Sequence, residues 1–418
     1  MKKYLALLLV LVMVLSLAAC ASKPAETTDE PEQTTTEPAP AEETKDEEPA
    51  PAEETKEEEP TEEPADNTEY AVAMITDYGD ITDQSFNQTT YEACKAFCED
   101  NGVEFSYFKP AGDNTADRVA MIEKAVDEGY NVIVMPGYAF GGAIVEAAPE
   151  FPDVKFIALD VAKGDLLEAG VAKAGESYDY NPDNWDLEKY VDMSNVYCAI
   201  YQEELCGYMA GYAAVKLGYK NLGFLGGMAV PAVIRYGYGF VQGADAAAAE
   251  LGQNIEINYF YGGQFYGDAN ITSRMEGWYA DGTQVVFACG GGIWTSALDA
   301  AETHDGKVIG VDVDQRSKIG ERCLTSAMKG LPSAINNALD SYFSGNFSEL
   351  GGTAQQLGLK DGDYIGLPTD SESWGFTTFT QDQYETVLAG IRDGSIEISS
   401  DTENQPKVGS HVTVDYIS

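Results

Sequence analysis

From residue 70 onward, short apolar runs alternate with amphipathic stretches. The runs predict strands over residues 70–75, 103–107, 131–135, 155–159, 196–200, 221–225, 255–261, 284–288 and 307–311. Helical spacing fills most of the gaps, over 84–100, 116–128, 203–217, 231–251, 269–280 and 295–303. Pro231 suits a first helical position, and Gly102 and Gly129 stand where helices end. Such alternation implies an α/β fold, with doubly wound parallel sheets covered by helices on both faces. The length exceeds what one core supports, so two lobes are expected. The N-terminal lobe is placed at 70–198, the C-terminal lobe at 199–325, and a hinge return with the C-terminal segment at 326–418. Between 161 and 194 the pattern lapses. There the chain is acidic and aromatic, with Tyr178, Tyr180, Trp185 and Tyr190, and reads as a long surface insertion.

The first 69 residues are different material. Lys2 and Lys3 precede an almost wholly apolar run, residues 4–19, which is too short to span a bilayer comfortably. Leu17-Ala18-Ala19-Cys20 resembles a bacterial lipobox, which predicts a signal peptide over 1–19 and lipidation at Cys20. The mature chain is then expected to be lipid-anchored on the extracellular face of the cell membrane, in a Gram-positive-type bacterium. Residues 21–69 hold no aromatic residue and no Val, Ile, Leu or Met, so they cannot bury enough apolar surface to offset the cost of ordering. Glu-Pro-Ala-Pro-Ala-Glu-Glu-Thr-Lys occurs at 37–45 and again at 48–56. Proline stiffens this stretch and like charges extend it, so 20–69 is expected to be a disordered acidic spacer.

The chain carries 70 acidic against 25 basic side chains, a net charge of −45. Residues 21–69 account for −16 of this and the residues from 70 on for −31. A folded part so acidic repels phosphate backbones, which argues against a nucleic-acid partner. Six cysteines remain besides Cys20, none in a Cys-x-x-Cys pair. Cys94 and Cys98 lie one helical turn apart, poor geometry for a disulfide, so buried free thiols are expected. With two histidines, no metal-ligand spacing and no nucleophile elbow, no catalytic residue, metal or cofactor is expected. Asp77, Asp80 and Asp83 fall three apart but lack the calcium-loop spacing, and read as a solvated turn.

In parallel sheets, ligands sit off the carboxyl ends of the strands. The loops there carry Asp77 through Asn87 after the first strand, Pro136-Gly137-Tyr138 after the third and Asp160 after the fourth. In the second lobe they carry Gly226-Gly227, Gly262-Gly263-Gln264-Phe265, Gly290-Gly291-Gly292 and Asp312. Carboxylates, an amide, aromatic rings and bare backbone are thereby expected to converge on one inter-lobe cleft. A planar heteroaromatic base fits between Phe86 and Phe265, each stack worth roughly 1–3 kcal/mol. Asn87 and Asp160 would address its edge. Asp77 and Asp312 would accept from a sugar diol, with Lys329 neutralising them.

The residues from Thr76-Asp77 through Asp83-Gln84-Ser85-Phe86-Asn87-Gln88 resemble the N-terminal signature of the basic membrane protein (BMP) family. These are lipid-anchored solute-binding proteins of ABC transporters, whose best-understood members bind purine nucleosides. The resemblance continues through Glu203-Glu204-Leu205-Cys206-Gly207-Tyr208-Met209-Ala210-Gly211, Leu222-Gly223-Phe224-Leu225-Gly226-Gly227-Met228 and Phe265. It resumes at Gly290-Gly291-Gly292, Gly310-Val311-Asp312-Val313-Asp314-Gln315 and Leu324-Thr325-Ser326-Ala327-Met328-Lys329. It implies a type I periplasmic-binding fold of two lobes joined by a hinge. It also implies that Phe86 and Phe265 are the stacking pair and that Asn87 and Asp160 read the base. Asp77, Asp312, Gly291 and Lys329 are the implied ribose contacts. The insertion over 161–194 and the glycine- and aromatic-rich stretch 137–142 depart from the family pattern.

The expected function is therefore capture of a nucleoside by lobe closure, with delivery to the permease subunits of an ABC transporter. The alternatives are a sensor ectodomain that binds a sugar-like signal, and an extracellular nucleoside hydrolase.

Overall fold

The computed structural model describes residues 70–417. The expected signal peptide, Cys20 and the acidic spacer lie outside the described residues.

The first lobe runs β1 (Ala71–Ile75), α1 (Phe86–Asn101), β2 (Glu104–Phe108), α2 (Thr115–Asp127), β3 (Val132–Pro136), α3 (Gly141–Ala147), β4 (Lys155–Leu159), α4 (Lys163–Lys173) and β5 (Val196–Tyr201). The second lobe comprises α5 (Glu203–Lys216), β6 (Asn221–Gly226), α6 (Pro231–Leu251), β7 (Ile255–Tyr261), α7 (Ala269–Ala280) and β8 (Val285–Cys289). It continues with α8 (Trp294–His304), β9 (Lys307–Asp312), α9 (Arg316–Ile319) and β10 (Cys323–Lys329). The chain ends with α10 (Leu331–Phe343), β11 (Thr353–Leu357), β12 (Ile365–Gly366), α11 (Gln381–Asp393) and β13 (Val412–Ile417).

The two sheets repeat one plan. The first has the order β11-β5-β4-β3-β1-β2 and the second β12-β10-β9-β8-β6-β7-β13. Counted within each lobe, the first five strands share the same parallel order, which reverses between the first and third strand. That reversal opens a crevice at the carboxyl edge of each sheet. The inner strands β3 and β8 are apolar and buried at every position, as strands covered on both faces must be.

The chain crosses between sheets three times: after β5, after β10, and between β11 and β12. The segment after residue 326 is therefore shared between the lobes. β10 stays in the second sheet through Lys329, α10 packs on α1, and β11 extends the first sheet beside β5. β12 and β13 then cover the two outer strands of the second sheet, leaving shorter or capped edges.

The stretch expected as one surface insertion opens with a helix. In α4, Leu166, Leu167, Gly170 and Val171 are buried, which docks the helix on the first lobe. Gly164 and Gly170 weaken its sequence signal. Only residues 174–195, between α4 and β5, are irregular. Two short 3₁₀ turns, Pro182–Asn184 and Leu187–Lys189, lie there among a cluster of Tyr178, Tyr180, Trp185 and Tyr190, whose neighbouring rings lie 5.3–5.7 Å apart. All six cysteines of the described residues are free and buried.

Helices α5 and α6 meet backbone to backbone. A Cβ on Gly207 or Gly211 would lie 2.1 Å from the carbonyl oxygen of Tyr236 or Phe240. A Cβ on Gly239 or Gly243 would lie 2.1 or 1.9 Å from that of Glu204 or Tyr208. The glycines are spaced four apart on both helices, so each pair shares one helical face. This close approach sets Glu203 and Arg235 side by side beneath the cleft.

Candidate functional site

The carboxyl ends of the two sheets face each other across a cavity of about 340 Å³. All eight residues singled out from the sequence line it: Asp77, Phe86, Asn87 and Asp160 from the first lobe, and Phe265, Gly291, Asp312 and Lys329 from the second.

Local structure explains how each arrives. Asp83 accepts from the backbone N–H groups of Ser85, Asn87 and Gln88, so it caps α1 and aims Phe86 and Asn87 at the cavity. Asp77 turns back on its own loop, accepting from the N–H groups of Tyr78 and Gly79, while Asp80 accepts from Thr82 and Lys109. The three aspartates thus serve three different local tasks. Asp160 and Asp312 stand at corresponding strand ends of the two lobes, and both are left-handed, with φ of 60° and 66°. Aspartate tolerates that region better than most residues, and here the turn swings both carboxylates into the cleft. Gly137 and Gly290, with φ of 122° and 129°, occupy another pair of corresponding strand ends, after β3 and β8.

The glycines beside the cavity make room for side chains as well as for a ligand. A Cβ on Gly227 would meet the Phe265 ring at 2.3 Å and one on Gly290 would meet it at 2.8 Å. Phe265 is seated in a groove only glycine can provide. A Cβ on Gly79 would fall 2.3 Å from Asn87 Nδ2.

Three short polar contacts join the lobes, beside a longer one from the Tyr78 hydroxyl to Met228 Sδ at 3.8 Å. Ser85 Oγ donates to Asp312 Oδ2 at 2.5 Å, Lys329 Nζ to Asp160 Oδ2 at 2.7 Å, and Gln315 Nε2 to the Gln84 carbonyl at 2.9 Å. Across the same gap the rings of Tyr78 and Phe265 lie 6.4 Å apart at 30°. Phe86 and Phe265 are both half-buried, and Lys329 Nζ sits 5.1 Å from the Phe86 centroid.

Two features depart from the expected grouping. Asp160, expected beside Asn87 at the base edge, is ion-paired with Lys329, an expected ribose contact. Asn87 instead lies against Asp83 and Asp77. The sequence order of strand ends says nothing about which loops become neighbours once the lobes close. The second feature is a buried charge network absent from the expected site. Arg235 Nε is 2.6 Å from Glu203 Oε2, and Glu203 Oε1 is 3.1 Å from Lys329 Nζ. Arg235 carried a readable signal, a lone charge among apolar residues at the start of α6; Glu203 was legible only as the first residue of a stretch that carries the family resemblance.

Burial drives the electrostatics. It pushes Asp77 and Asp312 above the ordinary carboxylate range, against hydrogen bonds and Lys329 that pull the other way. Burial likewise raises Asp160, only partly offset by Lys329. Glu203 is deeply buried too, but Arg235 and Lys329 outweigh that and hold it below the usual range. Lys329 loses solvation, yet Asp160, Glu203 and Asp312 together keep it firmly protonated. Beside them, burial raises Asp165 to about 6 and Glu204 to about 7.

These raised carboxyls have a measurable consequence. Between pH 4.5 and 7.5 the folded chain holds protons that the unfolded chain releases, so stability falls as pH rises through about 6 to 7. Glu203 works in the opposite sense, but its contribution is lost only below its ordinary value. The melting temperature is therefore expected to be about 3 °C or more higher at pH 5.5 than at pH 7.5, by calorimetry. An equal or lower value at pH 5.5 contradicts this assignment.

Two buried oxygens on the cavity wall lack a partner, Asn87 Oδ1 and Asp160 Oδ1. Asn87 can only donate to its carboxylate neighbours through Nδ2, so Oδ1 stays an acceptor whichever way the amide is drawn. Buried acceptors of this kind need a donor. The cavity thus combines aromatic faces with acceptors for N–H or O–H groups.

Two parallel-sheet lobes, crossed three times by the chain and closed over one cavity, define a solute-binding protein of the type I periplasmic class. The chain belongs to the Bmp family: the family model, described as "ABC transporter substrate-binding protein PnrA-like", matches residues 70–400. It is similar to the ABC transporter nucleoside-binding protein BmpA of Lactococcus lactis subsp. cremoris, 27% identical over 80% of this chain and 90% of that one. It is also similar to basic membrane protein B of Borreliella burgdorferi, 26% identical over 72% of this chain and 81% of the relative. Among solved structures, the ABC transporter system solute-binding protein of Aeropyrum pernix K1 shares the fold, with a TM-score of 0.60 at 20% identity over 78% of this chain and 87% of that one. The protein is thus an ABC transporter substrate-binding protein, a class that binds and hands over solutes without covalent chemistry.

Proposed function

We propose that the solute is a purine nucleoside, captured as the lobes close and delivered to the permease of an ABC transporter by a protein lipid-anchored at Cys20. The observation that carries this reading is the cavity wall itself. Half-buried Phe86 and Phe265 come from opposite lobes, with the unpartnered acceptors Asn87 Oδ1 and Asp160 Oδ1 in the same cavity. The relative from Lactococcus lactis, named as nucleoside-binding, supports it. A flat base lies between the rings, its edge donating to Asn87 beside Asp77. The sugar hydroxyls reach Asp160, Asp312 and Lys329, which the closed lobes hold together. Six aspartates against Lys109, Arg235 and Lys329 line the cavity, which favours an uncharged ligand over a phosphorylated one.

The test is calorimetric titration of ligand-stripped protein with adenosine, inosine, guanosine and their free bases. At least one nucleoside is expected to bind, and more tightly than its base, because a base leaves the buried carboxylates unpaired. Phe86→Ala is expected to weaken that nucleoside by about 1–3 kcal/mol, the loss of one stack. No heat with any of the three nucleosides, or unchanged affinity in Phe86→Ala, refutes the reading.

A further inference from the structure

We infer that Glu203 and Arg235 are positioning residues for Lys329: Arg235 takes up the charge of Glu203, which leaves the Lys329 ammonium to bridge the lobes to Asp160 and to serve the ligand. Only the ligand-facing half of this inference rests on the nucleoside reading.

Glu203 is the first residue of α5, two past the end of β5, where the chain first enters the second lobe. Its side chain is fully buried, and those of Lys329 and Arg235 are 2% and 9% exposed. One carboxylate oxygen accepts from Arg235 at 2.6 Å and the other faces Lys329 at 3.1 Å. Lys329 in turn donates to Asp160 of the first lobe at 2.7 Å. A continuous chain of charges therefore runs from α6 through α5 and β10 to the first lobe, at the crossing points of the hinge.

The sign of each charge decides the roles. Asp160, Glu203 and Asp312 act on Lys329, and Glu203, Asp160 and Glu204 on Arg235, so four carboxyl groups face two cations. In a water-excluded cluster an uncompensated carboxylate competes strongly for the nearest cation. With Arg235 in place, Glu203 is already neutralised and Lys329 is shared toward Asp160. Without Arg235, Glu203 draws Lys329 back into the second lobe and the bridge weakens. The helix pair keeps this geometry, because the glycine contacts fix Glu203 against α6.

Three variants test it: Arg235→Gln, Arg235→Lys, and the double Glu203→Gln with Arg235→Gln, which removes one charge of each sign and keeps an acceptor at 203. Lobe separation in ligand-free protein is read by pulsed electron resonance between genetically encoded spin labels at exposed Glu123 and Glu276. Arg235→Gln is expected to widen the distribution toward longer distances, while Arg235→Lys and the double variant keep the wild-type distribution. In parallel, adenosine, inosine and guanosine are titrated against their bases. Arg235→Gln is expected to lose about tenfold or more in nucleoside affinity with the base changed less than about threefold, and the double variant to recover. A double variant as open and as weak as Arg235→Gln, or equal losses for nucleoside and base, overturns the inference. If Arg235→Gln does not fold, a double variant that opens the lobes does the same. If wild type binds no nucleoside, the nucleoside reading fails, and the distance measurement alone decides the role of Arg235.

Discussion

Gly239→Ala is expected to lower stability by about 3 kcal/mol or more, while Gly277→Ala raises it by about 0.5–1 kcal/mol. Both replace a glycine inside a long helix, α6 in the first case and α7 in the second. Helix propensity favours alanine equally at the two positions. Their surroundings differ completely. The new methyl at 239 would lie 2.1 Å from the Glu204 carbonyl oxygen and 2.7 Å from its carbon, both backbone atoms of α5. No rotamer change relieves that overlap, so the helices must part. Parting them loosens the matching contacts at Gly207, Gly211 and Gly243, which rely on the same separation. At 277 a methyl meets nothing within 4 Å, and only the propensity gain remains. Urea or thermal unfolding of both variants measures the contrast. A Gly239→Ala protein within about 0.5 kcal/mol of wild type would refute the close-contact account.

That helix pair also marks a boundary of what the sequence makes legible. The Gly207 and Gly211 stretch was legible as part of a family resemblance, but its physical reason lies in α6, some thirty residues on in sequence and visible only after packing. The inner strands were legible because burial on both faces leaves an unbroken apolar run, as in β3 and β8. β11 was not, since Thr-Ala-Gln-Gln-Leu alternates between half-buried and exposed at a sheet edge. α3 and α10 escaped because glycine and proline open them, and α11 because it sits in a segment that changes lobes. The eight cavity residues could be found because strand ends of parallel sheets point at one crevice. Which of them pair could not be found, because Asp160 and Lys329 stand 169 positions apart in sequence and on different lobes. Nor could the sequence show that Gly227 and Gly290 make way for the Phe265 ring.

Lys329→Met is expected to destabilise the protein by about 3–5 kcal/mol at pH 7.5, and by clearly less at pH 5. Lys329 is the cation common to Asp160, Glu203 and Asp312. Methionine keeps much of the volume but leaves Asp160 and Asp312 without their main counter-charge, while Glu203 retains Arg235. The sign of the pH effect is fixed by these charges. In wild type Lys329 stays protonated across the neutral range, so titration of the ammonium itself adds no pH dependence between pH 5 and 7.5. In the variant the orphaned carboxylates bind protons more tightly when folded than when unfolded, so acid restores stability and base removes it. The gap between wild type and variant must therefore widen as pH rises. A packing defect alone would give the same gap at both values. Urea midpoints at pH 5 and pH 7.5 separate the two causes, and a gap independent of pH would mean that Lys329 supports the lobes by filling space, with its charge of no consequence to the closed cleft.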